Sequence, residues 1–345
     1  MLFSILVPVY NSIETLNECL NSVAAQTERD FELVLVDDGS TDGCGALCDE
    51  LAKQFSSAKV VHQANKGLVL ARRAGVQATA GEYCVFLDAD DTIAPDTLAV
   101  LRETIERENA DVVIYNFYNR YLPDETLDMA KPVFADGTVF RGEEKRTVYE
   151  MVVSSWRLNN LVTKAIRAEL VRRDDTPFEA YAQNPHMEDL LQSLYPLTHA
   201  SCIVYLARPL YYYRRNAEGI SGRVDPGQIE SQFSEPVMAR LERAMAEWGM
   251  DTPVYRAKLQ RRRIVKALTI FWQHFRAAKT YAEKRAVATC GWAAHIGAAE
   301  ADPCKCPGLT AVQRIQLRAL LNKRMGMLCL FALFGRLKLK ALHGD

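Results

Sequence analysis

The stretch FELVLVDDGSTDG, from Phe31 to Gly43, joins a nearly continuous apolar run to a turn rich in aspartate. A strand with one face in water alternates apolar and polar residues, whereas a continuous apolar run is typical of a parallel strand that helices cover on both faces. Aspartate, glycine and serine favour turns because they tolerate turn geometry or bond to their own backbone. The stretch therefore predicts a buried strand that ends in a polar turn.

The same order of strand, turn and helix recurs along the first third of the chain. The predicted strands are Phe3–Val9, Phe31–Val36, Lys59–His62 and Tyr83–Leu87, and the predicted helices are Ile13–Ala25, Gly45–Phe55, Leu68–Ala78 and Asp96–Glu108. Strands that alternate with helices of this length form βαβ units and a parallel sheet. We expect an α/β fold with helices on both faces of the sheet.

Three polar segments end or follow predicted strands: PVYN at Pro8–Asn11, DDGSTD at Asp37–Asp42 and DADD at Asp88–Asp91. Ligands of open α/β sheets bind outside the carboxyl ends of the strands. Because all three segments fall on that rim, the sequence predicts that they share one binding site.

The DADD segment gathers Asp88, Asp90 and Asp91 within four positions. Carboxylates this close repel one another unless a cation or several hydrogen-bond donors face them. Their oxygens are hard ligands suited to Mg²⁺ or Mn²⁺, and a divalent ion with open positions can hold a diphosphate. The alternative is a solvated turn or a helix N-cap, which aspartate also favours.

The turn at Asp37 and Asp38 offers carboxylates to the hydrogen-bond donors of a base or a ribose. Between this turn and the DADD segment the chain carries Lys66, Arg72 and Arg73, cations able to meet phosphate or the first acidic turn. These residues predict a site for a nucleoside diphosphate.

The segments SILVPVYNSIETLNECLNSVAAQT, FELVLVDDGSTDG, NKGLVLARRAGVQATAGEY and FLDADD, in this order, resemble the family 2 glycosyltransferases of bacteria. The resemblance runs from Ser4 to Asp91 and rests on several motifs rather than on one. It implies the GT-A fold, a Rossmann-like nucleotide-diphospho-sugar transferase sheet. It also implies an enzyme that transfers a sugar from a nucleotide-sugar donor to an acceptor hydroxyl.

The resemblance also implies roles for individual residues in this sequence. The residues implied for the nucleotide pocket are Pro8, Tyr10, Asp37, Asp38 and Arg72. Asp88 and Asp90 would form the DxD motif that binds the metal ion, Mn²⁺ or Mg²⁺, and the diphosphate. We add Lys66 to the donor-binding set as a cation that can meet phosphate.

The segment NPHMEDLLQSLYPL, from Asn184 to Leu197, places Glu188 and Asp189 at the head of a predicted helix. A carboxylate there is stabilised in its ionised form, which keeps it available as a proton acceptor. The segment also resembles the ED motif of the family, which implies that Asp189, rather than Glu188, is the general base. The alternative is a helix-start charge pair without a catalytic role.

Two further segments resemble the family. NNLVTKAIRAEL, from Asn159 to Leu170, is similar to the strand and helix that follow its variable acceptor region, and we expect acceptor specificity between Phe117 and Asn159. CIVYLARPLYYYRRNAEGISG is similar to a later segment of the family. That similarity implies that Arg214 or Arg215, together with Ser221, closes over the diphosphate.

The sequence predicts two domains. The catalytic domain is expected at 1–225, with a nucleotide-sugar-binding half at 1–115 and an acceptor and base half at 116–225. Apolar spacing of about 3.6 residues predicts a helical region at 226–345. Its predicted helices are Glu230–Trp248, Pro253–Phe275, Tyr281–His295 and Thr310–Leu342.

The segment after Thr310 is strongly basic. Its cations are Arg314, Arg318, Lys323, Arg324, Arg336, Lys338 and Lys340, and they surround the apolar stretch MLCLFALF. This stretch is too short to cross a bilayer, and the pattern is typical of a helix that lies in the interface of an anionic membrane. The alternatives are a core helix packed on the catalytic domain and a homodimer contact.

Composition and net charge limit the kinds of partner and the cellular compartment that are expected for this protein. A net charge of −1 gives no general attraction to nucleic acid, so no nucleic-acid partner is expected. Nine cysteines without zinc-type pairing, and an N-terminus that is unlike a signal peptide, predict a cytoplasmic protein. The basic segment would hold it at the inner face of the cell membrane.

The function implied is inverting transfer of a sugar, from a UDP-sugar by resemblance, to a glycan or a polyprenyl-linked sugar. The setting implied is envelope, capsular or exopolysaccharide assembly, with a hexosyltransferase-type reaction. Two alternatives stand beside it: a nucleotidyltransferase of similar fold, whose phosphate-gripping loop is usually rich in glycine, and a catalytically silent scaffold that binds a nucleotide sugar.

Overall fold

The apolar run that begins at Phe31 forms a strand, Phe31–Asp37, in a computed structural model of the chain. The structure describes residues 1–121, 124–182, 186–215, 234–296 and 302–342. They divide into two compact units, Met1–Val148 with Arg157–Gly222 and Tyr149–Trp156 with Arg223–Asp345. Residues 149–156, which the sequence prediction places in the first domain, therefore group with the second unit.

The first unit is built on one mixed sheet. Its described strands are β1 (Phe3–Val9), β2 (Phe31–Asp37), β3 (Ala58–His62), β4 (Tyr83–Phe86), β5 (Thr92–Ile93), β6 (Val112–Tyr121), β7 (Thr126–Met129), β8 (Thr138–Arg141), β9 (Lys164–Arg167) and β10 (Cys202–Arg215). Their order is β3-β2-β1-β4-β9-β6-β10-β5, with β7 beside β6 and β8 beside β10.

The predicted parallel arrangement holds for the first four strands, since β1 pairs parallel with β2 and β4, and β2 pairs parallel with β3. The sheet is not wholly parallel, because the short strand β9 lies antiparallel to both β4 and β6. A run of four residues carries no information about strand direction, so the sequence could not predict this insertion.

Helices follow the first four strands in the chain, as predicted. Those before residue 200 are α1 (Leu16–Ala24), α2 (Cys44–Ala52), α3 (Leu68–Ala78), α4 (Thr97–Glu108), α5 (Lys145–Ser154), α6 (Ala168–Arg172) and α7 (Glu188–His199). Helix α1 begins three residues later than predicted, because Thr15 and Leu16 donate to the carbonyl of Ser12 in a turn that precedes it.

Strand β1 lies at the centre of the unit and all seven of its residues are buried. Val9, its last residue, is in register with Asp37 of β2, while Leu6 is in register with Phe86 of β4. The chain crosses from β1 to β2 on one side, and β4 flanks β1 on the other. This reversal of strand order opens a crevice at the carboxyl ends, the usual position of ligands in such sheets.

The second unit is helical, as predicted. Its described helices after residue 234 are α8 (Glu235–Glu247), α9 (Pro253–Ala277), α10 (Tyr281–Thr289), α11 (Trp292–Ile296), α12 (Ala311–Leu321) and α13 (Met325–Leu342). Phe271 of α9 packs edge to face on Trp292 with ring centroids 5.6 Å apart. Around them lies an apolar cluster that includes Phe275, Leu317 and Leu328.

The predicted helix Thr310–Leu342 is two helices, α12 and α13. The break falls at Asn322–Arg324, where Lys323 adopts a left-handed backbone with a φ of 52°. Periodicity continues across this break, which is why the sequence pattern did not show it. Within the described part of the chain, no helix is long and apolar enough to cross a membrane.

Candidate functional site

One buried arginine joins the two acidic motifs. Arg72 of α3 is 1% exposed; its Nη2 donates to Asp88 Oδ1 at 2.9 Å and its Nη1 donates to Asp189 Oδ1 at 2.7 Å. Burial alone would lower the pKa of the guanidinium, but Asp88, Asp189 and Glu188 outweigh it and raise the pKa. Asp88 and Asp189 are 101 residues apart in the chain, and this contact brings them to a single site.

The three aspartates of DADD have different surroundings. Asp91 is 2% exposed, and it accepts hydrogen bonds from the Tyr211 hydroxyl at 2.5 Å and the Arg214 backbone N–H at 2.6 Å. Burial, and then the nearby Asp90 and Asp88, raise the pKa of Asp91 well above its usual range. Asp91, which the sequence groups with the ligand oxygens, instead anchors the turn to β10.

Asp88 and Asp90 therefore remain as the carboxylates that could face a ligand. Burial of the carboxylate and, to a lesser degree, the neighbouring Asp88 raise the pKa of Asp90. Among the described residues, no group of three or more His, Cys, Asp or Glu side chains forms a metal cage. Magnesium is often held by one or two carboxylates together with substrate phosphates, and the Asp88 and Asp90 oxygens fit that arrangement.

Arg214 lies against the same turn. Its Nε donates to the backbone carbonyl of Asp90 at 2.7 Å, and its Nη2 pairs with Glu18 of α1, which also pairs with Arg120. Burial would raise the pKa of Glu18, but the hydrogen bonds from these two arginines lower it. Sequence reasoning missed Glu18 and Arg120, because a charged residue in either segment is ordinarily expected to lie on the solvent-exposed surface.

Arg215 points elsewhere. Its Nε donates to Asn119 Oδ1 at 2.8 Å, and its guanidinium lies 4.6 Å from the centre of the Tyr213 ring. Of the two arginines considered for the diphosphate, the structure places Arg214 beside the DADD turn. Ser221, the third residue of that prediction, lies outside the described residues.

The Asp37–Asp38 turn closes the other side of the crevice. Asp38 is 3% exposed and accepts from the Gln63 side-chain amide at 2.6 Å and from the backbone N–H groups of Lys66 and Gly67, each at 2.9 Å. Gly39 has a φ of 73°, and a Cβ there would lie 2.7 Å from the Asn65 backbone nitrogen. The turn and the loop before α3 are therefore held as one structure.

The remaining nucleotide-pocket candidates differ in exposure. Pro8 is buried within β1, so it can shape the pocket floor but offers little surface, whereas Tyr10 is 50% exposed at the strand end. The Lys66 side chain is exposed and lines a cavity of about 470 Å³ on another side of α3, with Arg73, Gln77 and Phe178. The structure thus brings Arg72, but not the Lys66 side chain, into the cluster around Asp88.

Glu188 and Asp189 open helix α7, as predicted. Met187 before them has a left-handed backbone with a φ of 67°, an uncommon conformation for a residue with a Cβ that tends to occur at functional sites. Burial and the neighbouring Asp189 raise the pKa of Glu188 to about 8. Burial and the adjacent charge thus favour the protonated form of Glu188, the opposite direction to the effect expected of a helix N-terminus.

Lys164 of β9 is a second buried cation in this half of the site. It is fully buried, and its Nζ donates to the backbone carbonyls of Leu158 at 2.8 Å and Asn160 at 2.5 Å. Burial lowers its pKa to about 7, although Asp189 opposes the shift. Sequence reasoning missed Lys164; the available signal was a single lysine inside the apolar run LVTKAI.

Comparison with known proteins relates this chain to a family. Residues 4–160 match the family model described as glycosyl transferase family 2. The glycosyltransferase GlyG of Streptococcus pneumoniae serotype 4 is 28% identical over 265 residues, 74% of this chain and 85% of GlyG. The chain therefore carries a glycosyltransferase family 2 domain over residues 4–160. The uncharacterized glycosyltransferase EpsJ of Bacillus subtilis is 30% identical over 229 residues, 64% of this chain and 63% of EpsJ.

The fold of this glycosyltransferase also has solved counterparts. Residues 1–349 of TarS from S. aureus superpose on it with a TM-score of 0.65 at 20% identity, covering 94% of this chain and 88% of that one. The same part of TarS has been solved in complex with UDP-GlcNAc. The predicted family and the predicted GT-A fold are both confirmed. The roles of individual site residues stay predictions.

The Arg72 contacts predict a large effect on stability. Arg72→Met should lower the free energy of unfolding by about 3 kcal/mol, at the low end for breaking a buried ion pair, because its carboxylate partners are 26% and 24% exposed. Urea unfolding measures this change. The matched control is Arg107→Met, in a surface pair with Glu103, which should change stability by less than about 0.5 kcal/mol. Equal losses in the two variants would contradict a structural role for Arg72.

Proposed function

We propose that this family 2 glycosyltransferase transfers a sugar from a UDP-sugar to an acceptor hydroxyl with inversion at the anomeric carbon. The observation that carries the proposal is the contact of one Arg72 guanidinium with both Asp88 and Asp189. One guanidinium thus joins a carboxylate of the donor side to a carboxylate at the start of α7. A single displacement needs a base on one side of the sugar and a stabilised leaving group on the other, and this contact brings the candidates for both roles together.

The two carboxylates would have separate roles. Asp189 would take the proton from the acceptor hydroxyl as that oxygen attacks the anomeric carbon. Asp88 and Asp90 would hold Mn²⁺ or Mg²⁺, which when bound supplies positive charge to the leaving diphosphate. Arg214, held at the Asp90 carbonyl, would add a cation on the same side. The enzyme would form no covalent bond to the sugar.

The choice of UDP rests on similarity and on the shape of the crevice. TarS, which shares the fold, has been solved with UDP-GlcNAc. In this chain the Asp37–Asp38 turn and the DADD turn follow β2 and β4, the two strands that flank β1. Adjacent strands are about 4.8 Å apart, so the two turns lie about 10 Å apart along the rim, which suits a nucleoside at one end and a diphosphate at the other.

We further propose that the acceptor is a glycan or polyprenyl-linked sugar and that the protein works at the inner face of a membrane. The support lies in the second unit, where α12 and α13 expose both apolar and basic side chains. Leu330 and Leu333 are 55% and 59% exposed, and Lys323 and Arg324 just before them are also exposed. Exposed leucines beside cations match the composition of helices that lie in an anionic interface.

Asp189→Asn should reduce sugar transfer by about 100-fold or more, because an amide cannot act as a general base. Transfer is measured with a UDP-sugar and acceptor on which the wild type turns over. Glu188→Gln is the matched control: with its pKa raised to about 8, Glu188 is mostly neutral at pH 7, so the amide should cost less than about tenfold. Transfer by Asp189→Asn within about threefold of wild type would rule out the assigned base.

Calorimetry with UDP tests the donor side directly. Wild-type protein should bind UDP more tightly with Mn²⁺ than with a chelator, and Asp90→Ala should lose most of that difference, since the ion would lose one of its carboxylate ligands. Asp96→Ala is a suitable control, because Asp96 pairs with Arg208 outside the cluster. Metal-independent binding of UDP would contradict the metal role, and no binding would favour the silent scaffold or another nucleotide.

The membrane proposal predicts that Leu330→Ser combined with Leu333→Ser weakens flotation of the protein with anionic vesicles at least several-fold. Each leucine removed from the interface forfeits the transfer energy of its apolar area, which is roughly 1.5 kcal/mol or more when the burial is complete. Val254→Ser is the control, as Val254 is an apolar residue that is 64% exposed on a different helix, α9. Unchanged flotation of the double variant would contradict an interfacial helix.

A further inference from the structure

The carboxyl end of β3 carries a histidine held between two carboxylates of different elements. His62 Nδ1 lies 2.9 Å from Asp37 Oδ2 at the end of β2, and His62 Nε2 lies 3.2 Å from Asp49 Oδ1 on α2. The imidazole is thus bound at both nitrogens, and one of its partners belongs to the predicted nucleotide pocket.

The chemistry of these contacts specifies a protonation state. An ionised carboxylate only accepts hydrogen bonds, and a neutral imidazole has a single N–H to donate. Both contacts can be hydrogen bonds only when His62 is an imidazolium that donates from Nδ1 to Asp37 and from Nε2 to Asp49. Consistently, these two hydrogen bonds raise the pKa of His62, against the opposing effect of burial.

The titratable groups that face His62 lie on β2, on α2 and in the loop before α2. From β2 it faces Asp37, and from α2 it faces Asp49. Burial raises the pKa of the Cys44 thiol to about 11 and that of Cys48 to about 12, so both thiols of α2 stay neutral. Asp42, in the loop before α2, has a lowered pKa because its hydrogen bonds to backbone N–H groups outweigh its burial. The lowered pKa values of Asp37 and Asp42 keep these two carboxylates ionised at neutral pH, so they do not compensate a change in the charge of His62.

Asp37 contacts both His62 and the first residues of the DDGSTD turn, so it couples the protonation state of His62 to that turn. Its Oδ1 accepts from the Ser40 backbone N–H at 3.0 Å, which fixes the first residues of DDGSTD. On the other side, a Cβ at Gly45 would lie 2.8 Å from Asp37 Oδ2, so α2 packs directly against the oxygen that His62 holds. Loss of the imidazolium proton removes a hydrogen bond and the countercharge of this confined carboxylate.

We propose that His62, as an imidazolium, is a positioning residue that holds Asp37 and the Asp37–Ser40 turn in the geometry that receives the donor nucleoside, so that donor affinity falls as pH rises. This inference rests on the proposed function, because it assigns a regulator to the same donor site. The direction of this pH dependence follows from the protonation of His62. Both hydrogen bonds from the imidazolium are present at low pH, and this pair of contacts is lost as pH rises through the titration of His62 in the folded protein.

The test combines a titration of His62 with UDP affinity in the presence of Mn²⁺, both measured on the full chain. In NMR spectra of the ligand-free protein, the His62 signal, identified by its absence in His62→Gln, should titrate above its ordinary value of about 6.5. Asp49→Asn, which leaves Asp37 intact, should shift the titration to lower pH. A titration midpoint at or below the ordinary value in wild type would contradict the two hydrogen bonds from His62 to Asp37 and Asp49.

The affinity measurement compares wild type with His62→Gln between pH 6 and pH 9, so that the titration of UDP itself cancels in the ratio. Wild type should bind about tenfold more tightly than His62→Gln at the low end, and the advantage should disappear at the high end. Asp49→Asn should lose its advantage at a lower pH than wild type, a shift that a purely structural histidine would not produce. UDP binding with a pH-independent ratio overturns the role of His62 alone, whereas no UDP binding at any pH overturns the proposed function and this role with it.

Discussion

The site depends on one buried charge. Arg72 can be desolvated only because Asp88 and Asp189 both accept hydrogen bonds from it, and an uncompensated guanidinium in this position would cost several kcal/mol. To supply those partners, the end of β4 and the start of α7 must both reach α3. The need of the buried Arg72 guanidinium for two carboxylate partners therefore determines where the donor half and the base half of the first unit meet.

The aspartates near this contact have different hydrogen-bond partners. These partners distinguish an aspartate that holds the turn in place from those that could face a ligand. Asp91 is committed to the Tyr211 hydroxyl and a backbone N–H, which orients the turn. Asp90 keeps a raised pKa because burial and Asp88 act on it together. Arg72 offsets the charge of Asp88, and the Tyr211 hydroxyl and the Arg214 N–H bond to Asp91, so the protein itself compensates part of the cost of crowding three aspartates.

Sequence reasoning was most successful where local patterns are strong. The strands β1, β2 and β4 followed from apolar runs, since nearly all of their residues are buried, and β3 and the helix Leu68–Ala78 followed from the alternation of strand and helix patterns. It failed where long-range partners decide the outcome. Glu18, Lys164 and His62 look like ordinary charged or polar positions until folding brings two guanidinium groups, two carbonyls and two carboxylates to them.

The sequence by itself determined the family, the α/β class and the placing of three polar segments on one rim, because strand periodicity and turn chemistry are local properties. Tertiary structure decided which aspartate is held by hydrogen bonds within the protein and which can face a ligand. The outcome depends on donors such as Tyr211 and Arg72, which come from distant elements. It also decided the direction of β9 and the raised pKa values of Glu188 and His62. Those follow from burial and from neighbouring charges, which exist only once the chain has folded.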